Sequence, residues 1–472
     1  VTRGAWPAAI ILGVLEVAGA DVVWTGRREL TGATVLAHGG LIADVGGDDP
    51  ARSRAAVTER LDAAGCIVTP GLVNAHHHLL QTAFRTSPPT RHVPMAAWLP
   101  AMAADYRAVG VDPELVGTAA AVGLAEALLS GVTTVADHHL TWPAGTGVDD
   151  DVELARATAA AATRLGNRLV FVRGTAGDDP ARAALSAEAV AVALAPVERV
   201  QVAVGPAGVH ADGEATFRLL AEVAERHGLR RRTQANEVID VARARERYGR
   251  RPLDLLDEWG WLAPDVTLAH LCGITPTEAA RVAASGATAT HAPGCDLPMG
   301  WGVAPAGDLV DRGVAVGLGT SGGGSNDAGH LLADARLALQ VAPLTGRPLT
   351  AREVLTMATA GSAAGLGRPD LGSIEPGAAA DLCCWDVTGV ADAGVADPLA
   401  GLVWAAPGRR PRHVVVAGRV VVRHGELVAA DERTLAADLR RLLARRRRPG
   451  ASVFADAHGC AGAKTEGRSG AG

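Results

Sequence analysis

Three consecutive histidines stand in the stretch LVNAHHHLLQ, with His76 and His78 two residues apart and Gln81 just beyond them. Residues two apart on a β-strand point to the same side, so His76 and His78 can face one cavity while His77 faces elsewhere. Such a pair suits half of a divalent-metal site or a pair of acid–base groups. Further groups able to do either job recur along the chain. Asp137, His138 and His139 lie in VTTVADHH, followed by Arg173 and His210. Gln234, Asn236 and Glu237 lie in RTQANE, His270 in TLAHLCG, and His291, Cys295 and Asp296 in THAPGCD. Thr320, Ser321, Ser325, Asn326 and Asp327 lie in GTSGGGSND. A lone strand histidine is ordinarily structural. A His-x-His pair followed by this series points to a catalytic or binding pocket.

These groups need elements that bring them together. From Leu72 onward, short β-rich runs alternate with alanine- and leucine-rich helical runs. Strands are expected at 72–76, 133–136, 169–173, 200–204, 231–235, 266–270, 287–291 and 315–319, with helices such as 114–129, 215–227, 277–284 and 329–341 between them. Eight such units in roughly 250–290 residues predict an α/β chain built as a (β/α)8 TIM barrel, whose chemistry belongs at the carboxyl ends of the strands. An open doubly wound sheet is the alternative, and strict alternation favours closure. The polar residues named above fall at those strand ends.

Two β-rich segments flank the alternating region, DVVWTGRRELTGATVLAHGGLIADVG before it and GSIEPGAAADLCCWDV with PRHVVVAGRVVVRHGEL after it. Each is too small for a core of its own. Together they predict a small composite β-sandwich into which the barrel is inserted. The expected division is a leader and first half-sandwich over 1–68, the barrel over 69–371, the second half-sandwich over 372–430, and a helix with a disordered tail over 431–472. The leader is expected to precede a first strand at 21–24, with a secretory signal as the lesser alternative. The last helix, 432–444, is expected to end in a solvated arginine run, Arg445–Arg448.

Composition narrows the function classes. The chain has 472 residues, 48% of them hydrophobic, and a formal net charge of −6, which gives no sign of nucleic acid as a partner. No apolar run approaches the length of a membrane span. Six cysteines without a CxxC pair fit reduced thiols in a cytoplasm. The only lysine is Lys464, in a polar tail, which argues against a Schiff-base or carboxylated bridging lysine.

PGLVNAHHHLLQT, VTTVADHH, GSIEPGAAADL and VVVAGRVVVRHGEL, in that order, resemble the amidohydrolase superfamily, and within it the branch of guanine deaminase, 8-oxoguanine deaminase and triazine hydrolase. The resemblance implies a hydrolase of C–N bonds, of aminohydrolase or deaminase type, acting on a small nitrogen heterocycle. It implies zinc or another divalent metal held by His76 and His78, by a histidine on the fifth strand and by an aspartate ending the eighth. It further implies Glu237 as proton shuttle and His270 as the group orienting the attacking water. Gln81 stands where the purine-deaminating enzymes of that branch place a substrate-reading glutamine.

The family pattern breaks at two of those positions. Gln234 stands at the fifth-strand ligand position, where the pattern has His, and Ser321 at the eighth-strand position, where it has Asp. Two histidines alone hold zinc weakly, because the ion wants about four ligands, or three and a water. The site is therefore expected to be altered or metal-free. Three alternatives follow. The first is a rebuilt metal site using His76, His78 and His270. The second is a metal-independent enzyme using Glu237 and histidines for acid–base chemistry. The third is a non-catalytic binder of a purine- or triazine-like ligand. His139, Arg173 and Asn326 join Gln81 as candidate substrate contacts, and Trp98 as a candidate stacking residue in a lid. A small-molecule heterocycle is the expected partner, with homo-oligomer formation left open.

Overall fold

The computed structural model of the protein describes residues 13–47, 57–143 and 145–447. The first twelve residues of the expected leader, Arg448, Lys464 and the expected disordered tail lie outside the described residues.

The strands of the alternating region fall where the sequence places them, within a residue or a few at each end. Parallel strands Leu72–His78, Val132–His139, Arg168–Thr175, Val200–Pro206, Arg230–Ala235, Val266–His270, Thr288–His291 and Val316–Leu318 lie side by side in sequence order. A last short strand, Ser321–Gly322, pairs with the first strand, while Val316–Leu318 pairs with Thr288–His291. One stretch of chain, 316–322, thus forms both edges of this nine-stranded sheet, and the sheet curls round on itself. This curled parallel sheet in a mixed α/β chain is consistent with the expected barrel. Gly319 permits the crossing, since a Cβ there would lie 2.8 Å from the His76 carbonyl oxygen.

Side-chain parity along the strands sets two layers. Val73, Ala136, Val170, Val172 and Ala203 form a small buried cluster, while Leu72, Val135, Leu169, Phe171 and Val204 pack into the main core with the surrounding helices. Those helices begin where local chemistry lets them. Pro113–Leu129 starts on Asp112, whose carboxylate accepts from the Leu115 amide at 2.9 Å, with proline at the first turn. Pro276–Ser285 starts on a Thr275/Glu278 capping box.

The flanking segments form two further sheets. One, in the order 41–47, 33–38, 14–18, 57–62, draws only on the amino-terminal region. The other has seven strands and joins both ends of the chain, because Cys66–Pro70 pairs antiparallel with Leu382–Asp386. Their facing side chains, among them Leu15, Val35, Ile42, Val68, Leu382 and Val415, share one apolar cluster. A buried Arg168–Asp381 pair, at 2.9 and 3.0 Å, ties the base of the third parallel strand to the second flanking segment.

Two expectations need correction. The first described strand is Val14–Ala18, ahead of Val22–Trp24, so residues 14–18 belong to a sheet and not to a leader. VLEVA alternates well enough for a strand, and the carboxylate of its buried Glu16 is met by Arg60 at 3.2 Å. Second, the arginine run is not simply solvated: Arg445 and Arg446, at the end of Glu432–Arg446, pair with Glu114 and Asp112. Among the described residues, no single helix is long and apolar enough to cross a membrane.

Candidate functional site

The first-strand histidines are aimed by a backbone irregularity. Against the second strand, Asn74 matches Val135 but His77 matches Asp137, so one extra residue of the first strand is accommodated between Asn74 and His77. Such a bulge shifts the side-chain phase. It turns His76 and His78 inward, although Val73 already faces in. Their rings lie 4.9 Å apart, and the His76 ring is 5.1 Å from His270 and 5.7 Å from His138. Four imidazoles therefore meet at the carboxyl ends of strands one, two and six.

Hydrogen bonding sorts them by charge. His78 donates from Nδ1 to the His138 carbonyl at 2.7 Å, leaving Nε2 as a lone-pair donor. His138 donates from Nε2 to the Gly205 carbonyl at 2.8 Å. The His76 Nε2 is buried without a partner. Burial holds all three neutral, with His78 lowered to about 4, His138 to about 3, and His76 well below its ordinary value. His270 differs. Its Nδ1 lies 2.6 Å from Asp296 Oδ1, and its Nε2 lies 3.0 Å from Gln234 Oε1. Both partners are acceptors, so only a ring protonated on both nitrogens satisfies both. Burial opposes that charge, but the carboxylates of Asp296 and Glu237 outweigh it and raise the pKa.

Glu237 follows the fifth strand and precedes helix Val238–Tyr248. It is wholly buried, and neither carboxyl oxygen has a hydrogen-bond partner. Its Oε1 lies 3.7 Å from His270 Nε2. Burial pushes its pKa up to about 7, against the pull of His270 and His210.

Above this cluster opens a cavity of about 530 Å³, within the range of small-molecule sites. His78, Gln81, His138, His139, Gln234 and Ser321 contribute to its polar lining, and Trp98, Tyr106, Trp142 and Trp301 to its aromatic walls. Gln81 accepts from the Gly324 amide at 3.1 Å, and Trp98 donates to the Gly324 carbonyl at 3.1 Å. Trp98 stands on the helix Met95–Val109, which follows the first strand and contributes to the cavity wall.

The expected residues thus fall into three groups. His78, Gln81, His139, Gln234 and Ser321 line the cavity. His76, Glu237 and His270 are not in its lining and form the buried layer that Gln234 touches. Arg173 and Asn326 are placed apart from the lining. Arg173 shares the outward parity of Phe171 and is bound to Asp178 at 2.9 Å and Ser186 at 3.0 Å. Asn326 donates to the Thr320 carbonyl at 2.9 Å and to Asp334 at 3.1 Å. Asp296 carries more weight than its place among the strand-end residues suggested, as the carboxylate partner of His270. Its signal was there in THAPGCD, but no spacing rule connects strand seven with strand six.

A curled parallel sheet with imidazole and carboxyl groups gathered at the carboxyl ends of its strands is the arrangement of a barrel-type enzyme site. Comparison with known proteins makes the assignment specific: the sequence profile of the amidohydrolase family matches residues 67–421, and the chain belongs to that family. It is 33% identical to 8-oxoguanine deaminase of Pseudomonas aeruginosa over 427 residues, which cover 85% of this chain and 92% of that one. It is 34% identical to a 5-methylthioadenosine/S-adenosylhomocysteine deaminase of Halobacterium salinarum, over 82% of this chain and 87% of the relative. The crystal structure of atrazine chlorohydrolase from Arthrobacter aurescens TC1, complexed with zinc, superposes with a TM-score of 0.84 at 35% identity, covering 91% of this chain and all of that one.

Proposed function

We propose that this enzyme hydrolyses a C–N bond of a small planar nitrogen heterocycle, of deaminase type, with Glu237 as the proton carrier. The observation that carries the reading is the Glu237 carboxyl: buried, without a hydrogen-bond partner, 3.7 Å from a charged imidazole, and holding its proton up to about pH 7. Such a group can take a proton and return it near neutrality. In this reading it accepts a proton from water as the water oxygen bonds to the ring carbon. It then delivers that proton to the departing nitrogen, which leaves as ammonia or an amine. Entry of substrate displaces the Gln234 amide from His270 and uncovers Glu237. The freed His270 N–H donates to the oxygen or ring atom that gains negative charge. Gln81 and His139 face the ring, and Trp98 and Trp301 flank it.

The donor set fits the family metal poorly. His76 and His78 offer two neutral nitrogens with free lone pairs, as a metal would need. The third position holds a Gln234 amide already engaged with His270. At the fourth, the neutral Ser321 hydroxyl lies 3.5 Å from that of Ser325. Another trio, His270, Cys295 and Asp296, brings its donor atoms within 4.8 Å of one another. There both His270 nitrogens are in use and burial drives the Cys295 thiol pKa far up. The site is therefore metal-poor in this reading, and Glu237 and His270 carry the proton transfers. The second reading, a set of His76, His78 and His270, is favoured by ring spacings of 4.9 and 5.1 Å, but requires His270 to release Gln234 and a proton.

The same reading takes the curled sheet as a closed (β/α)8 barrel over about 69–371, and the two flanking sheets as a composite sandwich drawn from 1–68 and 372–430. The test is ammonia release from a panel of amino-substituted purines, pterins and triazines, with and without chelator. Chelator-resistant release that disappears in Glu237→Gln supports the proposal. Release that Glu237→Gln leaves intact sinks it.

A further inference from the structure

The cavity carries a charge that the reaction at its base does not use. Apart from histidines, four formally charged residues line it: Asp137, Asp178, Arg243 and Arg247. Asp137 accepts from the Leu79 amide, and burial lifts its pKa to about 7. Asp178 is neutralised by the buried Arg173 at 2.9 Å. Arg243 and Arg247 have no ion pair or hydrogen bond among the described residues. Most arginines on the described surface are paired with acids, so two unpaired ones side by side in a cavity wall stand out.

Their placement is regular. Ile239, Arg243 and Arg247 all line the cavity and sit four residues apart on helix Val238–Tyr248, which begins beside Glu237. Residues at that spacing share one helix face. The face is apolar near the buried cluster and turns basic as it moves outward. With a rise of about 1.5 Å per residue, Arg243 and Arg247 lie roughly 9 and 15 Å along the helix from Glu237. Two like charges one turn apart repel each other, and an anion placed between them relieves that repulsion.

The geometry points to a substrate with two parts: the planar heterocycle that reacts over Glu237, and an anionic substituent, phosphate or carboxylate, bound by Arg243 and Arg247 at the outer end of the cavity. This rests on the function proposed above and adds the substrate class. A cavity of about 530 Å³ has room for both parts.

The test is calorimetric binding, which needs no turnover. Two matched pairs serve as probes: adenosine against adenosine 5′-monophosphate for phosphate, and pterin against pterin-6-carboxylate for carboxylate. At least one anionic member is expected to bind about tenfold or more tightly than its neutral partner, with a preference that fades as salt rises. The preference should fall severalfold in Arg243→Gln or Arg247→Gln and vanish in the double substitution, while affinity for the neutral member and the melting temperature hold. The anionic member that gains tells phosphate from carboxylate. Equal affinity within both pairs, no binding of either anionic member, or a preference that survives the double substitution overturns the inference. Because Glu237→Gln is expected to cut turnover without touching this preference, failure of the catalytic reading and failure of this one are read separately.

Discussion

Placing histidine at 234 and aspartate at 321 is the most demanding test of the proposed metal-poor site. A complete structural zinc site contributes about 10–16 kcal/mol at neutral pH. Shared evenly over four ligands, the absence of two costs about 5–8 kcal/mol, or about 10⁴–10⁶ in affinity. The charged His270 ring, 5.1 Å from His76, adds repulsion. The protein purified without added metal is therefore expected to carry well under one zinc per chain. Gln234→His with Ser321→Asp should raise this towards one. Both side chains already line the cavity, and Ser321 has φ +53°, a backbone that aspartate accepts better than most residues. A histidine at 234 also replaces the Gln234 amide oxygen that His270 Nε2 now meets at 3.0 Å. Elemental analysis of both proteins is the assay. Stoichiometric zinc in the unaltered protein would refute the metal-poor reading in favour of the three-histidine set. No zinc in the double variant would show that these strand ends no longer hold four-ligand geometry.

Other consequences are checked more simply. Glu237→Gln should cost about 10²–10⁴ in turnover. The unaltered enzyme should show a rate limb rising through about pH 7, because the carboxyl is a base only after losing its proton; steady-state kinetics across pH checks both. Asp381→Ala strands the Arg168 guanidinium and the Ala417 amide and should destabilise by about 3–5 kcal/mol in denaturant titration. Acid should also destabilise the fold. His77 and His138 at about 3, with His78, His139 and His291 at about 4, contribute stability that is full above pH 6.5 and lost as pH falls through those values. Asp137, Glu237 and Asp334, all near 7, act oppositely: their contribution is full below about pH 4 and lost as pH rises through 7. Asp212, His210 and His270, raised above their ordinary values, act in the same sense as those carboxyls, while His76, His330 and His413, lowered by burial, join the five rings. The lowered histidines outnumber the raised groups, so unfolding free energy at pH 4 should lie below that at pH 7. Equal or greater stability at pH 4 would contradict the neutral, buried state of the five rings.

Much of this arrangement was legible in the sequence because period-2 strands alternating with helices leave few choices. His76, His78, Gln234 and His270 were placed at strand ends by that pattern alone, and the structure brings them together. What the pattern did not supply was which face of a strand, loop or helix meets the cavity. Arg173 reads as a strand-end cation, but its side chain faces the helices, and only the packing of Phe171 and Ser186 reveals that. Asn326 reads as a loop polar group, and its engagement with Asp334, on the following helix, cannot be seen from spacing. The bulge after Asn74 leaves no mark in LVNAHHH, yet it sets which histidines face in. The basic face of helix Val238–Tyr248 was readable as an i, i+4, i+8 series, but nothing in the sequence said which face met the cavity.

The pairing of Cys66–Pro70 with Leu382–Asp386 has a consequence for synthesis. Trp385 donates to the Thr69 hydroxyl across 316 residues of chain. At about 5–20 residues per second, the ribosome takes roughly 15–60 s to make the partner of a strand it has already released. Through that interval Cys66–Pro70 lacks its antiparallel neighbour, and its apolar sequence is an open edge that other chains can join. The parallel strands that follow can pair in order of emergence, each with the one before. The nascent protein is therefore most exposed to aggregation along Cys66–Pro70, and its yield in a cell should respond to translation speed and chaperone supply more than its final stability suggests.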